Sequence, residues 1–225
     1  MAKKQLKDPE KGLENVEGAL NSTESFIEEN QNLISWILLA IIVIIFGIIA
    51  FNKYYVRPHS EEASYELSKA EYFFGEGNYQ TALEGDGAEC IGFEGVIDGY
   101  KRTDAGRIAK YYAGVSCYKL GKYDEAADYL KSFSCDNEIL NLEAELLLGD
   151  VYVELDDVQT AIKQFEKVAK KNNQILSPRA LLKAGIAYES LQNKEAALKA
   201  YQTIKDDFNS SDEAREIDKY IARVK

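Results

Sequence analysis

The stretch AKYYAGVSCYKLGKYDEAADYL, residues 109–130, carries the pattern that decides the fold. The same order of small and aromatic residues returns in LLLGDVYVELDDVQTAIKQF and again in LLKAGIAYESLQNKEAALKAY. Gly114, Gly149 and Gly185 hold the same position in the three copies and lie 35 and 36 residues apart. A weaker copy, SKAEYFFGEGNYQTALEG, precedes them. Self-similarity at a period of about 34–36 residues indicates a repeat architecture.

Helical hairpins explain this spacing. Two antiparallel helices approach closely where their side chains are small, so we expect each Gly of the first helix opposite an Ala of the second, such as Ala126. Larger aromatic side chains would then fill the gaps between successive hairpins. A single hairpin cannot bury its apolar face, whereas stacked hairpins share one core. The pattern resembles the tetratricopeptide repeat over residues 62–211, and the resemblance implies an all-α solenoid of about four helix–turn–helix units.

Two sequence signals near the end of this region indicate where helices begin. Ser177-Pro178 is typical of an N-cap followed by Pro at the first helical position, and it predicts the start of the last full repeat. Ser210 and Glu213 have the spacing of a capping box, which predicts a capping helix over residues 212–225. The apolar face of that helix consists of Ile217, Tyr220, Ile221 and Val224.

A glycine-rich insertion separates the first repeat from the second. Residues 84–106 make this interval about ten residues longer than the repeat period, and six glycines lie between Gly85 and Gly106. We expect these glycines to break up the helices there. Two interpretations stay open, because an insertion of this kind serves either as a binding loop or as a spacer.

Residues 33–51, LISWILLAIIVIIFGIIAF, contain no charged side chain. As a helix they span about 28 Å, which matches the hydrocarbon core of a bilayer. Fourteen of them are Leu, Ile, Val or Phe. At about −0.4 kcal/mol each, these favour insertion by roughly −6 kcal/mol. Trp36, Tyr54 and Tyr55 suit the two membrane interfaces. The sequence therefore predicts a single transmembrane helix, followed by a juxtamembrane linker at residues 52–61.

Charge leaves the orientation of this helix open. Lys53 and Arg57 follow it, and no Lys or Arg lies within the twenty residues before it. The positive-inside rule would therefore place the C-terminal domain in the cytoplasm. Long domains, however, cross membranes largely regardless of their charge.

The N-terminal tail, residues 1–32, is acidic and carries a heptad-like stripe. Its members are Leu6, Leu13, Leu20, Ile27 and, just beyond the tail, Ile34. The stripe predicts an amphipathic helix that leads into the membrane. Three heptads make a marginal coiled coil, so we expect weak self-association at most.

Composition and motifs argue against catalysis. The chain has 27 Lys and Arg against 38 Asp and Glu, a net charge of −11, so it lacks the basic surplus of a nucleic-acid binder. His59 is the one histidine, which leaves little for metal binding or general-base chemistry. No phosphate-binding glycine loop or zinc-protease motif occurs. We therefore expect no enzyme, no catalytic residue, no cofactor and no metal.

The three cysteines do not have the C-x-x-C spacing of zinc or redox sites. Cys117 holds the repeat position of Tyr152 and Tyr188, which predicts a buried structural thiol. Cys90 and Cys135 fall in predicted loops, and whether they form a disulfide stays open.

In the tetratricopeptide repeat the first helix of each hairpin lines a concave groove that takes up a partner segment. By register, the candidate groove residues are Ile108, Tyr111, Tyr112, Val115, Tyr118, Leu146, Asp150, Val153, Glu154, Leu182, Ile186 and Glu189. The alternative is that several of these side chains pack between helices. Repeats that clamp the C-terminal carboxylate of cytosolic chaperones carry Lys and Asn at the positions of Tyr111 and Val115, so the resemblance does not extend to that clamp.

The whole layout resembles the YfgM-type proteins, and especially tetratricopeptide proteins of this layout from Bacteroidetes. The segments that carry the resemblance are TESFIEENQNLIS, ALEGDG, GFEGVIDGY, RIAKYYAGVSCYKLGKYDEAADYL and EIDKYIARVK. It implies an inner-membrane protein with a cytoplasmic N-terminus and periplasmic repeats. It also implies association with the Sec translocon and with periplasmic chaperones.

The leading hypothesis is therefore a membrane-anchored scaffold that holds protein partners during export. A structural subunit of an envelope secretion or division complex, oligomerising through residues 6–34, is one alternative. The other is a targeting receptor that faces the cytosol, which Lys53 and Arg57 would allow.

Overall fold

The computed structural model describes residues 30–225, which divide into one unit that ends at Arg57 and a second that begins at Pro58. The first unit contains helix α1, Gln31–Phe51, and a π-helical turn, Asn52–Val56. No residue of α1 is buried, and the helix is long and apolar enough to cross a membrane. The heptad stripe of the tail lies outside the described residues as far as Ile27.

The segment predicted as a juxtamembrane linker, residues 52–61, is helical. The π-helical turn is followed directly by α2, Arg57–Gly75. A helix here agrees with the absence of glycine from the segment. In addition, Pro58 lies in the first turn of α2, where a proline is tolerated.

Residues 58–225 form a stack of helical hairpins. After α2, the further helices are α3 (Tyr79–Glu84), α4 (Gly92–Tyr100), α5 (Asp104–Lys119), α6 (Tyr123–Ser132), α7 (Glu138–Glu154), α8 (Val158–Ala169), α9 (Leu176–Ser190), α10 (Lys194–Asp207) and α11 (Ile217–Val224). The hairpins are α2–α3, α5–α6, α7–α8 and α9–α10. A 3₁₀ turn, Glu213–Glu216, precedes α11. The described residues contain helices and no strand, which confirms the predicted all-α class.

The turn inside each hairpin repeats the same chemistry. Two residues after the end of each first helix, the chain has a residue with positive φ: Gly77, Gly121, Asp156 and Gln192. In three of the four hairpins the next residue is an Asn or Asp that caps the second helix, as Asp157 does by accepting from the Thr160 N–H at 3.1 Å. A side-chain cap of this kind satisfies a backbone donor that the first helical turn leaves unpaired.

The close contact inside a hairpin differs from the one we expected. A Cβ added to Gly149 would overlap the Phe165 ring, and one added to Gly185 would overlap the Tyr201 ring. The repeat glycine therefore lies opposite the large side chain sixteen residues later, and at Gly114 the added Cβ would also lie 3.5 Å from the carbonyl oxygen of Ala126. Ala126 and the equivalent Ala161 are nevertheless fully buried, as their register requires.

The insertion is packed rather than broken up. It contains α4, whose Phe93 and Val96 are fully buried, so its glycines do not abolish helix formation. The loop before α4 is held by Asp86, whose Oδ1 accepts from the backbone N–H groups of residues 88, 89 and 90 at 2.9 Å each. Gly85 and Gly92 have positive φ and allow the two ends of this loop to touch. Helix α4 adds apolar surface to the core of the first two hairpins.

Both predicted helix starts near the C-terminus are shifted. Helix α9 begins at Leu176, so Ser177 and Pro178 lie within its first turn, and Asn173 Oδ1 accepts from the Leu176 N–H at 2.9 Å. Before α11, Ser211 rather than Ser210 provides the cap, accepting from the Ala214 N–H at 3.2 Å. Ser210 and Ser211 are adjacent and offer the same hydroxyl, so the sequence alone does not distinguish them.

The capping helix α11 closes the stack with the predicted face. Ile217, Ile221 and Val224 are buried, and they share a cluster with Tyr201 and Ile204 of α10. The outer face of α11 carries Asp218, Lys219 and Arg223. A terminal helix with one apolar and one charged face ends a repeat stack in contact with solvent.

All three cysteines are free thiols. Cys117 is fully buried, as its repeat position predicts, and burial together with Glu125 raises the pKa of its thiol to about 12. Cys90 is also buried, because the packed insertion covers the loop in which it lies.

Candidate protein-binding groove

A cavity of about 360 Å³ opens where the C-terminal turns of α5, α7 and α9 meet α8. We call it the groove. Its lining residues are Tyr118, Asp150, Val153, Glu154, Val158, Phe165, Lys183, Ile186, Ala187 and Ser190. Residues from three successive hairpins therefore contribute to one concave site.

One side of the groove is apolar. Val153 on α7 is 41% exposed and Ile186 on α9 is 45% exposed, although both are large aliphatic side chains. Phe165, which is almost fully buried, forms part of the lining between them. Aliphatic side chains that face a concave cavity lose water when an apolar group enters it, and this favours binding.

The other side of the groove is charged. Lys183 Nζ donates to both carboxylate oxygens of Asp150, at 2.7 and 3.0 Å. Burial raises the pKa of Asp150 above its usual range, and the hydrogen bond from Lys183 opposes this only in part. Glu154 adds a second carboxylate. The pKa of the nearby Tyr118 is also raised, first by burial and then by the charges of Asp150 and Glu154.

The structure brings five of the candidate residues together in the groove. They are Tyr118, Asp150, Val153, Glu154 and Ile186. Register alone did not indicate Lys183, but it lies three residues before Ile186 on α9 and therefore on the same helical face. This i, i+3 relationship is the signal that could have found it.

Two of the candidate residues serve the packing of the stack. Leu146 is 6% exposed and belongs to a core cluster with Phe165 and Val168. Leu182 packs against the core of the last hairpin and cap. Neither residue lines the groove, because Leu146 packs between α7, α8 and α9 and Leu182 packs within its own hairpin and against the cap.

Glu189 binds the capping helix instead of facing the groove. It accepts from Arg223 Nε at 2.8 Å and from Arg223 Nη2 at 2.7 Å, and it also accepts from the Tyr201 hydroxyl. Hydrogen bonding to Arg223 is the main reason why the pKa of Glu189 is lowered. Glu189 is therefore not among the residues that line the groove, and its partner lies 34 residues further along the chain.

The tyrosine pair on α5 packs between helices. Tyr112 stacks on Phe93 with ring centroids 5.3 Å apart and meets Phe74 edge-on at 5.1 Å. Tyr111 lies 5.6 Å from Phe133, and burial, followed by the charge of Glu143, raises the pKa of its hydroxyl to about 12. These two rings therefore follow the packing alternative and lie outside the groove lining.

The remaining candidates, Ile108 and Val115, are half-buried on α5. Ile108 packs against the core of the first two hairpins. Neither lines the groove. The candidate set thus divides between one concave site and the contacts between helices.

A second cavity, of about 340 Å³, lies at the loops on another part of the stack. Its lining includes Ser134, Asp136, Glu138 and Asn141. These polar side chains make it a less apolar site than the groove. Within residues 30–225, no group of three or more His, Cys, Asp or Glu side chains is arranged to hold a metal ion.

Comparison with known families supports this description of the repeats. The family model of the tetratricopeptide repeat matches residues 146–212, which run from α7 to the start of the cap. A search of curated proteins finds no match to the chain. Tetratricopeptide repeats are typically protein-interaction modules rather than enzymes. Together, the hairpins and this match describe an all-helical tetratricopeptide-repeat solenoid preceded by one apolar helix long enough to span a membrane.

Proposed function

We propose that this protein is a membrane-anchored scaffold that holds other proteins through the groove between α5, α7 and α9. The observation that carries the proposal is the concave site itself, in which Val153 and Ile186 remain exposed beside a pair of carboxylates. Stacked repeats present such concave surfaces for binding extended partners. No catalytic step is part of the proposal.

Anchoring is the second part of the proposal. Helix α1 has apolar side chains on all sides and buries none of them within the described residues. A helix that is apolar all round is stable inside a bilayer and unstable in water. A tethered domain stays close to partners in the same membrane, which raises their effective concentration without high intrinsic affinity.

We further propose that the protein acts at a bacterial inner membrane beside the Sec translocon, with periplasmic chaperones and newly exported chains as partners. The resemblance of the tail, insertion and repeats to YfgM-type proteins supports this placement. In this arrangement the N-terminus is cytoplasmic and the repeats are periplasmic. Lys53 and Arg57 favour the opposite orientation, but a domain of this length crosses largely regardless of flanking charge.

Protease treatment of intact spheroplasts, combined with crosslinking, tests the proposal. A photo-reactive residue at Ile186 should crosslink to translocon or chaperone subunits identified by mass spectrometry, and the repeats should be digested from outside. The control is the same probe at Glu195, an exposed position on α10 that does not line the groove. Protection of the repeats from external protease would contradict the periplasmic placement and favour a cytosolic targeting receptor. Equal crosslinking from Ile186 and Glu195 would contradict the role of the groove.

A structural subunit is the second candidate, and the seven-residue spacing of Leu6, Leu13, Leu20 and Ile27 favours it. Sedimentation of the detergent-solubilised full chain distinguishes the two. A scaffold of the proposed kind is compatible with a monomer. A stable oligomer that dissociates when Leu13 and Leu20 are replaced by Ser would instead support the structural subunit.

A further inference from the structure

We infer that the groove recognises a peptide segment in which a basic side chain stands next to an aliphatic one. The inference rests on the proposed function and deepens it, since it names the chemistry of the segment that the scaffold takes up. It follows from the way in which apolar and charged residues are divided within the groove.

The aliphatic part of the inference comes from α7 and α9. Val153 and Ile186 face the cavity from neighbouring hairpins and are the exposed large aliphatic residues in its lining. Phe165 lies between them and is held by its contact with Gly149. A cavity of about 360 Å³ has room for an aliphatic side chain together with part of the next residue.

The basic part comes from an imbalance of charge. Among the residues that line the cavity, Asp150 and Glu154 are acidic and Lys183 alone is basic. Lys183 is already bound by both oxygens of Asp150, at 2.7 and 3.0 Å. The carboxylate of Glu154 has the Tyr123 hydroxyl as a neighbour, which is neutral. An incoming Lys or Arg would therefore meet an excess of negative charge, and an incoming carboxylate would be repelled.

Two further observations also favour a basic side chain in the bound segment. Burial raises the pKa of Asp150 in spite of its ion pair, so Lys183 compensates the buried charge only partly. Residues 58–225 as a whole carry 31 Asp and Glu against 21 Lys and Arg, so the surrounding field also attracts cations. The same field disfavours an acidic C-terminal segment as the occupant.

Fluorescence anisotropy with the full chain in nonionic detergent tests the inference. The probe is a labelled peptide of alternating Leu and Arg with Gly-Ser at both ends. Two matched peptides replace every Arg by Glu or every Leu by Ser. We expect the Leu–Arg peptide to bind at least about tenfold more tightly than either, with an affinity that falls as salt is added.

Variants assign the binding to the groove. Ile186→Asp should abolish binding of the Leu–Arg peptide, because it places a charge in the apolar wall. Glu154→Gln should weaken binding by about threefold, the usual effect of one exposed ion pair. Glu195→Gln removes an exposed carboxylate outside the groove and should leave the affinity unchanged. Circular dichroism melting curves show whether each variant is folded.

The outcomes separate the inference from the proposed function. If the Leu–Glu peptide binds as well as the Leu–Arg peptide and both are lost in Ile186→Asp, the inference is wrong while the groove remains a protein-binding site. If the Leu–Arg peptide binds equally to the wild-type chain and to Ile186→Asp, or does not bind at all, the inference is also wrong. In that case the crosslinking experiment at Ile186 independently decides the proposed function.

Discussion

At the scale of single residues, the repeat glycines set the distance between the two helices of each hairpin. Gly114, Gly149 and Gly185 occupy one register position, but the side chains that face them are Leu130, Phe165 and Tyr201. The missing Cβ creates space into which each of these larger side chains packs. The glycine is thus needed for packing rather than for a special backbone angle, because none of the three has positive φ.

We expect Gly149→Ala to lower the free energy of unfolding by about 1–3 kcal/mol, because the new methyl group overlaps the Phe165 ring. Gly99→Ala is the matched control, since a Cβ at Gly99 meets open space in the last turn of α4. Replacing a glycine in the last turn of a helix should not destabilise it, and any gain should stay below the roughly 0.5–1 kcal/mol of a mid-helix position. Urea unfolding followed by circular dichroism measures both. An unchanged free energy of unfolding in Gly149→Ala would contradict the prediction, because the hairpin would then accommodate the methyl group without loss of stability.

Tyr111 and Tyr118 both lie on α5, seven residues apart, but they have different surroundings. Tyr111 packs against Phe133, whereas Tyr118 lines the groove. Tyr111→Ala removes a ring that packs against Phe133, and we expect a loss of about 2–4 kcal/mol in stability. Tyr118→Ala should cost less stability and should instead weaken binding of the Leu–Arg peptide. Thermal melting and anisotropy on both variants test this difference. Equal effects of the two substitutions on stability and binding would contradict the assignment.

At the scale of elements, hydroxyl–carboxylate bonds connect neighbouring helices of the stack. Tyr188 on α9 donates to Glu166 on α8 at 2.6 Å, and Tyr129 on α6 donates to Glu94 on α4 at 2.9 Å. Burial and the adjacent carboxylate raise the pKa of Tyr188 to about 12. These bonds tie one hairpin to the next, in addition to the apolar contacts that make up most of each interface.

The raised pKa of Tyr188 predicts loss of stability in alkali. Its folded pKa of about 12 exceeds the ordinary value of 10, so the folded state holds the phenol proton more tightly. The resulting stability is complete below pH 10 and is lost as the pH rises through 12. We expect Tyr188→Phe to reduce the fall in melting temperature between pH 9 and 11. Tyr72→Phe, at a tyrosine that is 65% exposed, should leave that fall unchanged. Identical pH profiles for wild type and Tyr188→Phe would contradict the prediction.

At the scale of the whole molecule, α1 is the proposed membrane anchor. Its apolar side chains supply roughly −6 kcal/mol for insertion, and two central arginines would cost about 5–7 kcal/mol. We therefore expect Ile42→Arg with Ile45→Arg to release the protein from membranes in an alkaline carbonate wash. Leu33→Arg with Ala50→Arg places the same charges near the ends, where long side chains reach the headgroups, and should leave the protein in the membrane. Release of both variants, or of neither, would contradict an anchor at α1.

The repeat register, the all-helical class and the apolar helix could be read from the sequence because each depends on local or periodic spacing. Gly114, Gly149 and Gly185 recur at 35 and 36 residues, and nothing beyond the chain order is needed to see it. The insertion was less predictable. Its glycines argue against helix, but the burial of Phe93 and Val96 outweighs that weak preference and stabilises α4.

The composition of the groove was decided by tertiary structure. Asp150 and Lys183 meet across two hairpins, while Glu189, the neighbour of the groove residue Ser190, is bound by Arg223 of the cap. Of two adjacent positions on one helix, one can therefore face the groove while the other is bound by a neighbouring helix. The chain by itself determines which residues lie on the first helix of each hairpin, because helix periodicity is local. Which of them stay open to a partner depends on contacts between residues more than thirty positions apart, and these exist only in the packed stack.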